Sequence, residues 1–269
     1  IGLVLKFEYI WDIQTRLNTS YMHKATKNTI FWLITLFTPI IILLLTEMSL
    51  RLGGYESEKQ DLFVEVPNTP DYLMANTKFI SRYFPSFVPD IAPNAFRKQK
   101  PLNMFRIFVF GGSSTEGFPY NFYTSFADQL EQQLLLNTQG LPVEVINLGM
   151  TAVNSYVIRD LSNRVLDYEP DAVIIYAGHN EYYGSFGAAT TQFGFTNSIG
   201  LKRFILWLKD WRIYQLLEKT LLLGGSEANT GERRTMMAKV ISESNIPLGS
   251  EIYLQGIQQY QENLSDVVQ

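Results

Sequence analysis

The chain has 269 residues, a net charge of −4 and no cysteine. This length suits one sizeable domain with an appendage, and the acidic balance provides no basic surface for nucleic acid. The lack of cysteine excludes disulfides, thiolate metal sites and a cysteine nucleophile. Only two histidines, His23 and His179, are present, so we expect neither a histidine-rich metal site nor a bound cofactor.

The N-terminal part of the chain contains one long apolar segment. Residues 29–50 include the uncharged run TIFWLITLFTPIIILLL. About 22 helical residues measure roughly 33 Å, which matches a bilayer core of about 30 Å. Lys24 and Lys27 precede this segment, and acidic residues follow it. The pattern predicts a cytoplasmic tail at 1–28, a transmembrane helix at 29–50 and an extracytoplasmic remainder, in the periplasm or at the cell surface. A buried core helix or a cleaved signal peptide is the alternative.

The segment 51–101 is rich in proline, asparagine and aromatic residues and sustains no period. We predict a linker that becomes an extension packed on the following domain.

From residue 102 to residue 269 strand-like and helix-like segments alternate. The runs MFRIFVF, VEVINLG and DAVIIYAG predict strands, and FYTSFADQLEQQLLL and SYVIRDLSNRVLDYEP predict the helices between them. Near-continuous apolar strands separated by helices are typical of an α/β domain with a parallel sheet covered on both faces. Further on, residues 201–223 predict one amphipathic helix, either a lid over the strand ends or an ordinary domain helix. The last predicted helix covers residues 251–268.

Each predicted strand ends in a glycine-bearing turn, GGSS, NLGM or GHNE. The carboxyl ends of parallel strands lie at one edge of the sheet, where ligands bind. Gly112 and Gly117 have the spacing of a phosphate-binding loop. However, Phe118 and Pro119 stand where that loop needs lysine and a hydroxyl, which disfavours nucleotide binding.

A nucleophile fits the first turn better. A serine between a strand and a helix is exposed near a helix N-terminus, with backbone N–H groups around it. Gly149 in the second turn and Asn180 in the third add donors of the kind that a tetrahedral oxyanion needs. The alternative is that the glycines are ordinary turn residues and Asn180 is a cap.

The ordered blocks GGSS, NLG and GHN resemble those of the GDSL, or SGNH, hydrolase family of the membrane-anchored bacterial type, over about residues 105–184. The resemblance implies the flavodoxin-like SGNH fold. It further implies that Ser113 is the nucleophile, and that its N–H, Gly149 and Asn180 form the oxyanion hole. The chain departs from the family at Gly112 and Glu181, where the family has aspartate.

The last block of the family, D-x-x-H, supplies the catalytic base and is absent from this chain. His179 is expected to line the site rather than to act as the base, and His23 precedes the apolar segment. We expect the chain to be truncated before the last block, with the base beyond Gln269. These 269 residues alone are then expected to be nearly inactive, because loss of a triad member costs orders of magnitude.

The predicted function is therefore that of a membrane-anchored serine esterase or O-deacylase acting on an acyl ester of a glycan or lipid. The alternatives are an O-acyltransferase acting on envelope glycans and a non-catalytic binding protein of the same fold. The aromatic residues Tyr120, Tyr182, Tyr183 and Phe186 are candidates to line a substrate pocket, although we favour a place in the core for them.

Overall fold

Two units make up the chain, residues 1–55 and residues 56–269, and each is taken separately. The structure is a computed structural model. It describes residues 2–84, 88–138, 140–190, 198–222 and 245–268, without the side chains of 2–25 and 221–222.

The first unit is dominated by one helix, α1, Gly2–Leu52. Its part from Thr26 to Leu52 is long and apolar enough to cross a membrane. Near its end the hydroxyls of Thr46 and Ser49 donate to the carbonyls one turn earlier, each at 2.8 Å. Such bonds satisfy polar groups inside an apolar helix. The helix continues without a break across residue 28, where the sequence predicted the boundary between the tail and the transmembrane helix.

The second unit contains six strands and seven α-helices in its described part. In chain order they are β1 (Phe63–Val66), β2 (Thr69–Ala75), α2 (Thr77–Ile80), β3 (Ala95–Arg97), β4 (Phe105–Gly111), α3 (Ser113–Glu116), α4 (Phe126–Asn137), β5 (Val143–Gly149), α5 (Ser155–Val165), β6 (Ala172–Tyr176), α6 (Ile199–Leu208), α7 (Arg212–Leu222) and α8 (Glu251–Val268). Short 3-10 turns occur at Ser57–Lys59, Ser81–Tyr83, Phe122–Thr124 and Leu166–Tyr168.

The segment predicted as a linker and extension contains a small antiparallel sheet in the order β1-β2-β3. Asn68 connects β1 to β2 with a φ of 62°, a left-handed conformation that asparagine tolerates better than most residues. Phe63 and Phe96 of this sheet pack edge to face, with ring centroids 4.8 Å apart. The strands are short and interrupted by proline, so no alternating period revealed them in the sequence.

The three predicted strands of the α/β region form a parallel sheet in the order β5-β4-β6. This confirms an α/β architecture with a parallel sheet. The first strand in the chain is central, and its last residue, Gly111, pairs with Gly149 of β5 and Tyr176 of β6. All three carboxyl ends therefore lie level at one edge.

Alternate residues of β4 face opposite sides of this sheet, as a strand period of two requires. Phe108 and Phe110 pack with α5 and with the antiparallel sheet. Ile107 and Val109 pack in a second cluster with Ala127 of α4. Helices thus cover both faces, which explains why the strands read as continuous apolar runs.

The predicted helix at 201–223 is two helices, α6 and α7, within its described part. The break falls at residues 209–211, where charged side chains make tertiary contacts. Asp210 pairs with Arg82 at 2.7 Å and with Arg164 at 3.0 Å. The sequence pattern could not show these partners, because they lie far away along the chain. The last predicted helix, in contrast, is confirmed as α8.

Candidate active site

The site begins with the serine turn that follows β4. Gly112 is extended, with φ −84° and ψ −158°, and the single-turn helix α3 starts at Ser113. The N–H groups of Thr115 and Glu116 both donate to the carbonyl of Gly112 at 3.0 Å. Ser113 is half-buried and Ser114 is exposed. Among the described residues none accepts the N–H of Ser113 or bonds its hydroxyl, so both groups remain available to a ligand.

Asn180, four residues after β6, lies directly against this turn. Its Nδ2 donates to the carbonyl of Val153 at 2.9 Å. A Cβ built on Gly112 would be only 2.8 Å from the same nitrogen. An amide nitrogen carries two hydrogens, and the bond to Val153 uses one of them. The structure therefore brings together the sequence-predicted residues Ser113 and Asn180, with Gly112 permitting the close approach.

Gly149, the third predicted donor, is engaged elsewhere. Its N–H donates to the Oδ1 of Asn147 at 2.8 Å. A Cβ at this position would be 2.5 Å from the backbone nitrogen of Glu116. The Nδ2 of Asn147 in turn donates to the carbonyl of Thr115 at 2.8 Å. Gly149 therefore lets the serine turn pack onto β5, a packing role that differs from the donor role predicted from the sequence.

Ala152 is a residue that sequence reasoning missed. It is buried in the turn between β5 and α5, and its φ is 64°. A left-handed alanine costs about 1–2 kcal/mol, and such strain concentrates at functional sites. Nothing in the described part of the chain accepts its N–H, so Ala152 is a candidate donor beside Val153. No local signal marked it, since alanine is not a residue expected at positive φ.

A cavity of about 270 Å³ lies beside the serine turn. It is lined by Asp90, Glu116, Gly117, Phe118, Tyr120, Asn121 and Phe122. Glu116 is buried and accepts a hydrogen bond from the hydroxyl of Thr151 at 2.6 Å, and burial raises the pKa of its carboxyl.

The aromatic residues that the sequence placed in the core differ in their exposure. Tyr120 is 85% exposed at this cavity, so the prediction of a core position is wrong for it, whereas Phe186 is fully buried as expected. Tyr182 and Tyr183 are half-buried.

His179 is exposed on the turn after β6, and its ring lies edge-on to that of Tyr176, with centroids 5.4 Å apart. The side chain of His23 lies outside the described residues. The described part of the chain holds no cluster of three or more histidine, aspartate or glutamate side chains arranged for a metal.

The carboxylate of Glu181, the residue after Asn180, caps the N-terminus of α5, from which it is 26 residues away in the sequence. Its carboxylate accepts the N–H of Ser155 at 2.6 Å and the hydroxyl of Ser155 at 2.8 Å. Asn154 occupies the N-cap position itself, yet its side chain makes no cap bond and has no described partner. A carboxylate at a helix N-terminus is favoured by the helix dipole. Burial nevertheless raises the pKa of Glu181.

Lys202 of α6 supports the loop that follows Asn180. Its Nζ donates to the carbonyl of Phe186 at 2.9 Å and lies 5.5 Å from the ring centre of Tyr156. Burial lowers the pKa of Lys202 from its ordinary 10.5 to about 8, an effect that the negative charge of Glu181 opposes. The lysine thus carries a charge below pH 8 at a cost to the folded state.

This cost predicts a stability that depends on pH. Between pH 8 and 10.5 the unfolded chain still binds the lysine proton and the folded chain does not, so the free energy of unfolding rises with pH. The contribution of Lys202 across this window is roughly 3 kcal/mol. In Lys202→Met this contribution is expected to disappear, whereas the tyrosines and Lys209, whose pKa burial also lowers, titrate in both proteins. Denaturant unfolding at several pH values measures the difference, and equal slopes would contradict the prediction.

The chain was also compared with known proteins. No family model, no curated protein and no solved structure matches it significantly.

Proposed function

We propose that this protein is a membrane-anchored serine hydrolase, an esterase or O-deacylase that uses Ser113 as its nucleophile. The observation that carries the proposal is the contact between the serine turn and Asn180. An amide donor lies against the residue that precedes a half-buried serine, at the carboxyl edge of a parallel sheet. The resemblance of the three turns to the SGNH hydrolases supports the same assignment.

The proposed chemistry is acyl transfer through a covalent intermediate. The Ser113 hydroxyl attacks the ester carbonyl, and its proton passes to a base. The oxyanion accepts hydrogen bonds from the N–H of Ser113 and from the Asn180 amide. The alcohol leaves with a proton, and water then hydrolyses the acyl-enzyme. We base the oxyanion hole on these two donors, with Ala152 as the candidate third in place of Gly149.

The base and the location of the domain also belong to this proposal. The D-x-x-H block that supplies the base in the SGNH hydrolases does not occur in residues 1–269, and we assign the base to none of these residues. The distribution of Lys24 and Lys27 before the apolar helix favours a cytoplasmic N-terminus and an extracytoplasmic hydrolase domain. The substrate is then an acyl ester of the cell envelope, carried by a glycan or a lipid.

A fluorophosphonate probe tests the nucleophile directly, because it phosphonylates activated serines. Full-length protein is treated with the probe and digested, and the modified peptide is sequenced by mass spectrometry. We expect the label on Ser113. A label on the adjacent Ser114, or no label on native protein, would contradict the assignment.

A second assay separates the hydrolase from an O-acyltransferase. If the protein transfers an acetyl group to an added sugar faster than it hydrolyses the ester, it is an O-acyltransferase.

A further inference from the structure

The face of α8 that meets the site carries amide side chains where a core helix has apolar ones. Gly256, Gln259 and Asn263 follow each other at intervals of three and four residues, so they share one face of the helix. Gln259 and Asn263 are both 0% exposed. Amide side chains are rarely buried so completely unless their hydrogen bonds require it.

The bonds of these amides converge on the turn that carries Asn180. The Nε2 of Gln259 donates to the backbone carbonyl of Glu181 at 2.5 Å and to its carboxylate at 3.2 Å. The Nδ2 of Asn263 donates to the Ser155 hydroxyl at 2.9 Å. That hydroxyl in turn donates to the Glu181 carboxylate. One network therefore joins α8, the start of α5 and the residue after Asn180.

Further contacts from α8 reach both sides of Asn180. The hydroxyl of Tyr260 donates to the carbonyl of Ala177 at 3.4 Å, before the asparagine. After it, the hydroxyl of Tyr182 donates to the carbonyl of Tyr253 at 3.1 Å. Within the described residues no hydrogen bond from α8 reaches Asn180 itself. The helix thus holds the segment around the asparagine and leaves its amide for other partners.

Gln259 also leaves an acceptor without a partner. Its Oε1 is buried and makes no hydrogen bond among the described residues. An unsatisfied buried acceptor destabilises a fold, and an apolar side chain of the same shape would avoid the loss. Stability alone therefore does not explain a glutamine at this position. Its contribution is the pair of hydrogen bonds that it donates to Glu181.

We propose that Gln259, assisted by Asn263, is a positioning residue that fixes the Asn180 amide for oxyanion binding. This inference rests on the proposed hydrolase function. Asn180 is adjacent to Glu181, so a loosened Glu181 backbone displaces the amide from the serine turn. A donor that acts on the oxyanion contributes more to the transition state than to the bound substrate, so its misplacement lowers kcat more than it changes KM.

The test uses full-length protein and an aryl acetate, with Gln259→Met as the main variant. Methionine keeps the length of the side chain and removes both donated bonds. We expect kcat to fall about 10- to 100-fold, with KM changed by less than about threefold. Amide hydrogen exchange in the peptide spanning residues 177–184 is expected to become faster. Rates are normalised to the fraction of molecules labelled by the fluorophosphonate probe, which corrects for unfolded protein.

The matched control is Gln258→Met on the same helix. Gln258 is exposed, and within the described part of the chain its side chain bonds Glu262 of α8 alone, at 2.8 Å, so kcat and exchange are expected to stay at wild-type values. Asn263→Asp is the second variant, since it loses the donor to Ser155 and keeps the oxygen that accepts from Arg203. A smaller loss of kcat in the same direction is expected.

The outcomes separate the two proposals. Ser113-dependent turnover in the wild type with an unchanged kcat in Gln259→Met and Asn263→Asp would overturn the positioning role and leave the hydrolase standing. An unchanged exchange rate at 177–184 would overturn it as well. A wild-type protein without Ser113-dependent turnover would reject the hydrolase, and with it the positioning of an oxyanion donor. A fall of kcat with stable KM and faster exchange supports both.

Discussion

Replacing Ser113 with alanine is expected to lower the turnover of an aryl acetate by the full-length protein by about 10³-fold or more. The reason is that the hydroxyl oxygen forms the acyl-enzyme, and nothing else in the turn replaces a covalent nucleophile. The substitution should leave the fold intact, because Ser113 is half-buried and bonds no described side chain through its hydroxyl. Initial rates and thermal unfolding of the same preparations provide the measurement.

Ser114→Ala is the matched control for this result. Ser114 adjoins Ser113 in α3 but is exposed, so its loss should change turnover by no more than about twofold. Wild-type turnover in Ser113→Ala would reject Ser113 as nucleophile. A large loss in Ser114→Ala with none in Ser113→Ala would transfer the role to the neighbouring serine.

Asn180→Ala is expected to lower kcat by about 10²- to 10³-fold, the usual effect of removing one oxyanion donor. The variant loses the amide that lies against Gly112 and also the bond to the Val153 carbonyl. Asn180→Asp loses the same two donor interactions and adds a test of charge. It keeps the shape of the side chain and replaces the donor with a charge that repels the oxyanion, so its loss should be at least as large. A kcat within about threefold of wild type in both variants would remove Asn180 from the mechanism.

Gly112→Ala offers an independent route to the same donor. The backbone of Gly112 has a φ of −84°, which any residue adopts, so the added methyl acts through its contact with Asn180. We expect a loss of about 10- to 100-fold, because the amide must shift. In the Asn180→Ala background the same methyl should have little effect, since the atom it displaces is gone. Additive losses would show that the two residues act separately.

Local patterns predicted the sheet well because β4 and β5 are mostly buried and β6 is apolar as well. The runs around Phe108, Ile146 and Ile174 read as continuous apolar segments, and the helices between them ended at turn residues. The antiparallel sheet at β1 to β3 escaped prediction, since its strands are short and its turn depends on Asn68 in a left-handed conformation. The division of 201–223 depended on Asp210 finding arginines about 50 and 130 residues earlier in the chain.

The candidate site was predictable to the extent that it is made of strand ends. Ser113 and Asn180 follow β4 and β6, and parallel topology alone brings those ends together. The hydrogen-bond state of Gly149 was not predictable, because it depends on the side-chain conformation of Asn147. Ala152 and Gln259 carried no signal either. Ala152 is unusual only in its backbone φ, and Gln259 is unusual only in its hydrogen bonds to Glu181.

The bonds from α8 also set an order of events during synthesis. Gln259 lies 78 residues after Glu181, and Asn263 lies 108 residues after Ser155. Chains grow at about 5–20 residues per second, and earlier segments begin to fold first. The residues of the parallel sheet and the serine turn are therefore synthesised roughly 4–16 seconds before the residue that contacts Glu181. The contacts that α8 makes with the turn around Asn180 can form only after that interval.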